Sequence, residues 1–555
     1  MEQTNWFKNA IIYQIYPRSF KDSNGDGIGD IPGIIEKLDH LKDLGINCVW
    51  LSPVYESPMD DNGYDISNYC SIHPMFGTMD DFKTMLDEMH KRGIRLIMDL
   101  VMNHTSDEHP WFKSACESKD SPYRDYYIWK KGKKRNKAPN NWTGFFGEGA
   151  WEYHEPTGEY YLHLFGKKQP DLNWENPSVR EEMKKVIRFW CDLGVDGFRL
   201  DVINLISKNQ KFANGREMIF LKGAKSYING PRLHEYLQEI NRDAFSKYDI
   251  MTVGETVFTK LDDMKLLTDE SRKELSMVFN FDHTSVDNFF GVKWFMRKFS
   301  LPRFKKILGK YQKGLKDIGW NSLFYENHDQ RRSVGRFNTN DGIYRERSAK
   351  MLATSLYFLK GTPYIYQGQE IGMTNTDINK LEDYQDIETH NIYKTAKAMH
   401  LPKSFIDKTI PNGTRDNART PMQWSSDEHA GFSTVKPWLK VNANYEWLNV
   451  EANKKDDDSI LNYYKKLLAI RKKESLVIDG NYIDLLPKHK EIYAYMRTGT
   501  KEKLLVVANY SPKNVKVDLN VTLNNYEVLI NNYPVLNLNN IEPYQAFILK
   551  IKEKK

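Results

Sequence analysis

Eight short runs rich in β-branched and aromatic residues recur along the chain, and the stretches between them repeat apolar residues with helical spacing. The runs are "IIYQIYP" (11–17), "CVWLSPV" (48–54), "RLIMDLVMNH" (95–104), "VDGFRLDV" (195–202), "IMTVGE" (250–255), "LSMVFNFDH" (275–283), "WNSLFYENHD" (320–329) and "TPYIYQGQE" (362–370). Phe82, Met85, Leu86 and Met89 fall at i, i+3, i+4 and i+7, one face of a helix. Asn176-Pro177 is a helix start, and Met183, Val186, Ile187 and Trp190 repeat that spacing behind it. Strand and helix alternating eight times is the count of an α/β fold, the (β/α)8 TIM barrel.

The gaps carry information as well. About 90 residues separate the third run from the fourth, several times the length of an ordinary βα connection. The segment 105–175 therefore reads as a small inserted domain over one barrel face, and a second long insertion spans 371–430. From about 480 the pattern changes to "NYIDLL", "EIYAYMRT", "KLLVVANYS", "VKVDL", "YEVLI" and "AFILKI", short strands of an antiparallel β-sandwich or Greek key. The expected division is a barrel over 1–104 and 176–480, an inserted domain over 105–175 and a C-terminal β-domain over 481–555.

Several function classes are excluded. No apolar run is long enough to span a bilayer, and "MEQTNWFKNA" lacks the basic and apolar regions of a secretory signal. The four cysteines, Cys48, Cys70, Cys116 and Cys191, are far apart without a CxxC pair, as in reduced cytoplasmic proteins. Net charge is +6, with dense basic clusters only at "KKGKKRNK" (130–137) and the tail "KIKEKK". No aromatic stacking platform is interleaved with either, so no nucleic-acid partner is expected. The expectation is a cytoplasmic monomer with no membrane partner. Thirteen tryptophans and 32 tyrosines suit a chain that binds sugars.

A barrel of this kind places its active site at the C-terminal ends of the strands. Those ends carry Asn103-His104, Arg199-x-Asp201, Glu255 and Asn327-His328-Asp329. Arg199 and Asp201 are two apart on a strand and share a face, where the guanidinium favours the ionised carboxylate a nucleophile needs. Glu255 follows the greasy "IMTVG", and partial desolvation suits a carboxyl that must carry a proton. Two such carboxyls are what retaining glycoside hydrolysis requires, with Asp329 as a third group that grips hydroxyls and steadies the oxocarbenium-like transition state.

One loop poses a separate question. "DSNGDGIGD" (22–30) supplies Asp22, Asn24, Asp26, the Ile28 carbonyl and Asp30 at the alternate positions of a calcium loop, with Gly27 at the bend. The twelfth position is Gly33 instead of glutamate, and a strand precedes the loop. It is not an EF-hand; a hard-cation loop and a plain turn both remain open.

The order of motifs resembles the α-amylase superfamily of glycoside hydrolases over essentially the whole chain. "DLVMNH" (99–104), "GFRLDV" (197–202), "VGE" (253–255) and "ENHD" (326–329) match its four motif regions, and "QPDLNWEN" (169–176) matches a fifth. "MDDNGYDISNY" (59–69), "GTPYIYQGQEIGMTN" (361–375) and "RDNARTPMQW" (415–424) look closest to the bacterial oligo-1,6-glucosidase (isomaltase) group. The resemblance implies Asp201 as nucleophile, Glu255 as acid/base and Asp329 as transition-state stabiliser. It implies a glucose pocket lined by Asp61, Tyr64, His104, Phe146, Phe165, Gln169, Arg199, Val202, His328 and Arg415. It also implies exo-action on α-1,6 bonds and structural calcium on Asp22, Asn24, Asp26, Ile28 and Asp30. Val202, beside the nucleophile, resembles the valine of α-1,6-acting members, although valine also suits a strand. Arg331, Gly335 and "ETVF" (255–258) depart from the usual sequences flanking the acceptor side. The rivals are a trehalose-6-phosphate hydrolase, a sucrose- or isomaltulose-acting enzyme, a non-catalytic sugar-binding barrel and a metal-dependent hydrolase. "FNFDHTSVD" (279–287) lacks a lysine common in the first, and no clustered histidines close the early strands as the last would need.

Overall fold

The computed structural model describes residues 4–552 apart from 134–136, 217–220, 290–291, 338, 340–341 and 524. The middle of the first basic cluster and the last three residues of the tail thus lie outside the described residues. Each of the eight runs contains a strand: β1 Ile12–Ile15, β2 Cys48–Leu51, β3 Arg95–Val101, β4 Gly197–Asp201, β5 Met251–Glu255, β6 Met277–Phe279, β7 Ser322–Leu323 and β8 Thr362–Tyr366. They form one sheet in the order β6-β5-β4-β3-β2-β1-β8-β7. Chain neighbours are sheet neighbours and β1 runs parallel to β8, which is the circular order of a TIM barrel opened between β6 and β7. β1, β2, β4, β5, β6 and β8 are buried along their whole length. Parallel strands covered on both faces require continuous apolar runs, and the sequence supplies them.

The chain divides into two compact units, one of 1–5, 50–91 and 95–280 and another of 6–49, 92–94 and 281–555. In the first, the helix Met79–Lys91 buries Phe82, Met85, Leu86 and Met89, the face its periodicity marked. Asn176 caps the helix Pro177–Asp192 by accepting the Ser178 N–H at 2.9 Å, and proline suits the first helical turn because its missing N–H has no partner there anyway. The segment after β3 carries a three-stranded sheet of Trp129–Lys130, Glu159–Leu162 and Trp151–His154 with the second strand in the middle. Its core of Trp142, Trp151, Leu162 and Leu164 also takes in Val202 and Leu205 from the loop after β4.

The second unit ends in an antiparallel sheet of β9 Asn481–Asp484, β10 Ile492–Thr498, β11 Glu502–Asn509, β12 Tyr526–Asn531 and β13 Ala546–Lys552, in the order β9-β10-β11-β13-β12. A ribbon of Val515–Lys516 with Asn540–Ile541 packs Val515 and Ile541 against Val507, Phe547 and Leu549, giving the two layers of the expected sandwich. Among the described residues no helix is long and apolar enough to cross a membrane.

Candidate active site

Alternation along β4 turns Phe198 and Leu200 one way and Arg199 and Asp201 the other. Arg199, 1 % exposed, is the hub of the first unit's polar cluster. Its Nη1 donates to Asp201 Oδ1 at 2.6 Å and to Asp99 Oδ1 at 2.8 Å, while Nη2 meets Glu255 Oε2 from the end of β5. Asp99, midway along β3, also accepts from Trp50 Nε1 at 3.2 Å and from the Tyr64 hydroxyl at 3.0 Å. Burial pushes the Asp99 carboxyl up to about 6 against the opposing pull of Arg199 and Tyr64, and the Glu255 charge adds to the rise. Burial likewise raises Asp201 well above the carboxylate range; Arg199 opposes this, and the charges of Glu255 and Asp99 reinforce it. The sequence led us to expect that Arg199 would keep Asp201 ionised and set it apart from Glu255. The guanidinium instead serves three carboxyls at once, so one cation cannot neutralise the set.

The same unit assembles most of the anticipated sugar pocket. Gln169 Nε2 donates to Asp61 Oδ2 at 3.2 Å, His104 Nε2 donates to the Tyr64 carbonyl at 3.1 Å, and the Phe165 ring stands 5.0 Å from His104 and 5.8 Å from Phe146. Burial pulls His104 down to about 4, so its imidazole is neutral near pH 7. A buried cation is tied to the same group of residues. Lys208, from the loop after β4, donates at 2.7 Å to both Asp171 of the inserted segment and Asn103 at the end of β3. Asn103 in turn donates to His104 Nδ1 at 3.2 Å.

Val202 is where a sequence expectation fails. Its run read as strand to residue 202, but β4 stops at Asp201 and Val202 has φ of 35°, in the left-handed region that a β-branched residue rarely adopts. The turn aims its N–H at Glu255 Oε2, 3.4 Å away, and its side chain into the inserted segment's core.

In the second unit several cations gather around Asp329. Asp329 Oδ1 accepts from Arg419 Nη2 at 2.7 Å and lies 3.8 Å from Arg415 Nη1, and His328 Nε2 is 3.4 Å from Oδ2. Burial works to raise Asp329, but His328, Arg419, Arg415 and Lys293 prevail and hold it far below the usual carboxylate range. His328 is fixed by Gln14 at 2.8 Å and by stacking on Tyr16. Arg415 Nε donates to the buried Asp386 at 2.8 Å. The departing residue Arg331 is taken up by Asp287, which Arg336 also pairs, and Gly335 occupies φ of 85°, where a glycine is favoured.

The 22–30 loop lies wholly in the second unit. Asp22 accepts N–H groups from Asn24 at 3.1 Å, Gly25 at 2.7 Å and Gly27 at 2.9 Å, and the Ser433 hydroxyl at 2.6 Å. Asn24 Oδ1 accepts from Asp26 N–H at 3.0 Å, Asp26 from Ile28 N–H at 2.8 Å, and Asp30 caps a helix through Gly33 N–H at 2.7 Å. Among the described residues no group of three acidic, histidine or cysteine side chains stands ready for a metal. A cation here would rest on mixed donors, and the donor chemistry fits a hard one, since every candidate ligand is oxygen.

Sequence reasoning passed over Asp99, Lys208 and Arg419. A lone acid inside "RLIMDLV" and a lone lysine after "VINLIS" were available signals, because an ionisable group in an apolar run needs a buried partner. Arg419 stands four residues from Arg415, the spacing of neighbours on a helix face, and both flank Asp329.

Residues 14–480 match the α-amylase catalytic domain, and 484–548 match the C-terminal domain of maltogenic amylase. An oligo-1,6-glucosidase of Parageobacillus thermoglucosidasius is 54% identical over 99% of this chain and 99% of its own. A trehalose-6-phosphate hydrolase of Bacillus subtilis is 49% identical over 92% of this chain and 90% of its own. The crystal structure of the Bacillus licheniformis trehalose-6-phosphate hydrolase superposes with a TM-score of 0.94 at 47% identity, covering 99% of this chain and 100% of that one. With the barrel, the strand-end carboxyls and the C-terminal sheet in place, the chain belongs to the α-amylase family of glycoside hydrolases.

Proposed function

We propose that this enzyme is a retaining, exo-acting α-glucosidase of the oligo-1,6-glucosidase type, releasing glucose from the non-reducing end of isomaltose and short isomalto-oligosaccharides. Asp201 attacks the anomeric carbon while Glu255 protonates the glycosidic oxygen. Water, deprotonated by Glu255, then releases the glucosyl group from Asp201. The observation that carries this reading is that one guanidinium, Arg199, hydrogen-bonds both Asp201 and Glu255 and so draws the two carboxyls together, whereas an inverting pair must stand roughly 6.5–9.5 Å apart to admit a water. Asp329, kept anionic by its cations, stabilises the positive charge that develops on the sugar ring. Asp61, Tyr64, His104, Gln169, Arg199, His328 and Arg415 grip the terminal glucose, with Phe146 and Phe165 as apolar walls. All but the two phenylalanines are buried.

The 22–30 loop would hold calcium through Asp22, Asn24, Asp26, the Ile28 carbonyl and Asp30, where the ion would cross-link the chain after β1. The four cysteines are free, which supports a reducing compartment such as the cytoplasm. Relatives that hydrolyse trehalose 6-phosphate make that substrate the second reading. Initial rates on isomaltose, maltose, sucrose, isomaltulose and trehalose 6-phosphate separate the readings, with isomaltose expected first. A preference for trehalose 6-phosphate would overturn the substrate, and β-glucose as the first NMR-observed product would overturn the retaining mechanism.

A further inference from the structure

The motif "ENHD" opens on a residue that the chemistry proposed above does not use. Glu326, its side chain 1 % exposed, closes the loop that carries His328 and Asp329. Its Oε1 accepts the Ser333 N–H at 2.7 Å and the Ser333 hydroxyl, while Oε2 accepts from Arg332 Nη1 at 3.1 Å. Inside the closed loop, Asn327 Oδ1 accepts the Asp329 N–H at 2.8 Å, and the Asn327 carbonyl accepts the Gln330 N–H at 3.2 Å. Asp329 therefore stands on a turn whose two stems Glu326 joins. Arg332, fully buried, carries the connection onward. Its Nη1 also donates to the Gln367 carbonyl after β8 at 2.8 Å, and Nη2 reaches to within 3.5 Å of the Ala418 carbonyl. Tyr366, its ring 5.0 Å from the guanidinium, donates its hydroxyl to that same carbonyl at 2.7 Å. The next residue is Arg419, which donates to the His328 carbonyl at 3.0 Å and to Asp329 at 2.7 Å. Asp329 and its cation are thus tied to one buried ion pair, and the whole network belongs to the second unit.

We propose that Glu326 and Arg332 are positioning residues for Asp329, a clasp that sets the place of its carboxylate. The inference rests on the reading of Asp329 as the group that stabilises positive charge on the sugar ring. A buried ion pair adds little net stability, because taking two charges out of water consumes most of their attraction. Removing one partner leaves the other charge buried and unpaired. Without the Glu326 charge, the Arg332 guanidinium keeps only neutral partners among the described residues, and the stems of the turn lose their strongest link. Misplacing a catalytic group by about 1 Å can cost roughly 10²-fold in rate.

The test reads the charge of Asp329 through two competitive inhibitors, glucose and 1-deoxynojirimycin, at a pH where the iminosugar is protonated. The two share their hydroxyls, and only the second carries a positive charge. The ratio of their inhibition constants should favour the iminosugar in wild type, and Asp329→Asn should remove most of that preference. Glu326→Gln keeps the side-chain length and loses the charge; it should lower the preference roughly 10-fold or more. Ser333→Ala leaves the ion pair and removes one hydroxyl bond, and should lower it about 2–10-fold, the scale of a single hydrogen bond. A lower melting temperature with the preference unmoved in Glu326→Gln, or in Ser333→Ala where the first variant does not fold, leaves the pair a purely structural role and overturns the clasp. If Asp329→Asn itself keeps the preference, the reading of Asp329 as stabiliser falls, and the clasp falls with it. The ratio involves no disaccharide, so it holds whichever substrate proves best.

Discussion

The two units of this enzyme solve opposite electrostatic problems with the same residue types. In the first, one guanidinium, Arg199, is shared by Asp99, Asp201 and Glu255. In the second, Arg419, Arg415 and His328 lie around Asp329, with Arg415 also pairing Asp386. Burial works to raise acids in both places; around Asp329 the cations reverse it, and around Asp99 the single guanidinium does not. The cluster with one cation leaves its buried acids Asp99 and Asp201 raised, while Asp329, with several cations, stays an anion. Burial pushes both acids the same way, and the charge ratio around each separates Asp99 from Asp329.

The hardest test of that comparison removes a carboxylate from the first region. Asp201→Asn should cost roughly 10⁴-fold or more in kcat, the scale of losing a group on which every turnover depends. Glu255→Gln should cost about 10²–10⁴-fold on isomaltose, and clearly less on an aryl glucoside whose leaving group needs little protonation. Equal losses of Glu255→Gln on both substrates would remove Glu255 from the acid's role.

The second test sets the regions against each other by pH. Asp99 binds its proton more tightly folded than unfolded, so its contribution to stability is complete below about pH 4 and is lost as pH rises through about 6. Asp329 has the opposite sign: its contribution is present above the unfolded value near 4 and is lost as pH falls below it. A two-unit shift corresponds to about 3 kcal/mol. Melting temperatures from pH 3.5 to 7 should therefore fall less for Asp99→Asn than for wild type as pH rises through 4 to 6. Asp329→Asn should lose stability chiefly near neutrality and flatten the acid-side fall. Parallel curves for all three proteins would mean that the two regions do not differ as described.

What the sequence disclosed follows the same division. Periodicity located all eight barrel strands and the C-terminal sheet because an unbroken apolar run is a local requirement of a strand buried on both faces. Asp201, Glu255 and Asp329 stood out as candidates because a barrel fold puts its strand ends on one rim. The charge ratio was not legible, since it depends on where Asp99 and Arg419 arrive in space. Val202 was misread for a related reason: valine favours strands, and nothing local announces that tertiary packing into Trp142 and Leu205 holds it left-handed. In the 22–30 loop, by contrast, spacing alone anticipated the tight sequence of side-chain-to-backbone turns.

That loop gives a third, smaller test, confined to the second unit. Asp22→Ala combined with Asp26→Ala should lower the melting temperature and abolish any response to calcium. A cation bound only to the folded chain stabilises by about 2.7 kcal/mol at a hundredfold excess over its dissociation constant. Activity at low temperature should hold, leaving the first region's chemistry unaffected. A wild type whose melting ignores calcium and chelator alike would reduce the loop to a set of turns around Asp22 and Asp30.

The smallest expected effect lies at Val202, at the edge of the first region. An α-1,6 bond carries an extra exocyclic carbon, so its leaving ring stands farther from the pocket than the ring of maltose. A branched side chain directly after the nucleophile crowds the more compact α-1,4 arrangement. Because the residue is left-handed and its side chain belongs to the inserted segment's core, Val202→Ala both relieves crowding and loosens that core, whereas Val202→Thr keeps the branching and changes only polarity. Pocket changes of this size shift selectivity by about 1–3 kcal/mol, or roughly 10–200-fold. The ratio of kcat/KM on isomaltose to that on maltose should therefore fall in Val202→Ala and hold in Val202→Thr, with a lower melting temperature for alanine. If alanine melts lower but neither ratio moves, Val202 serves packing and the aim of its N–H at Glu255, and discrimination between linkages passes to the loop that carries Thr256.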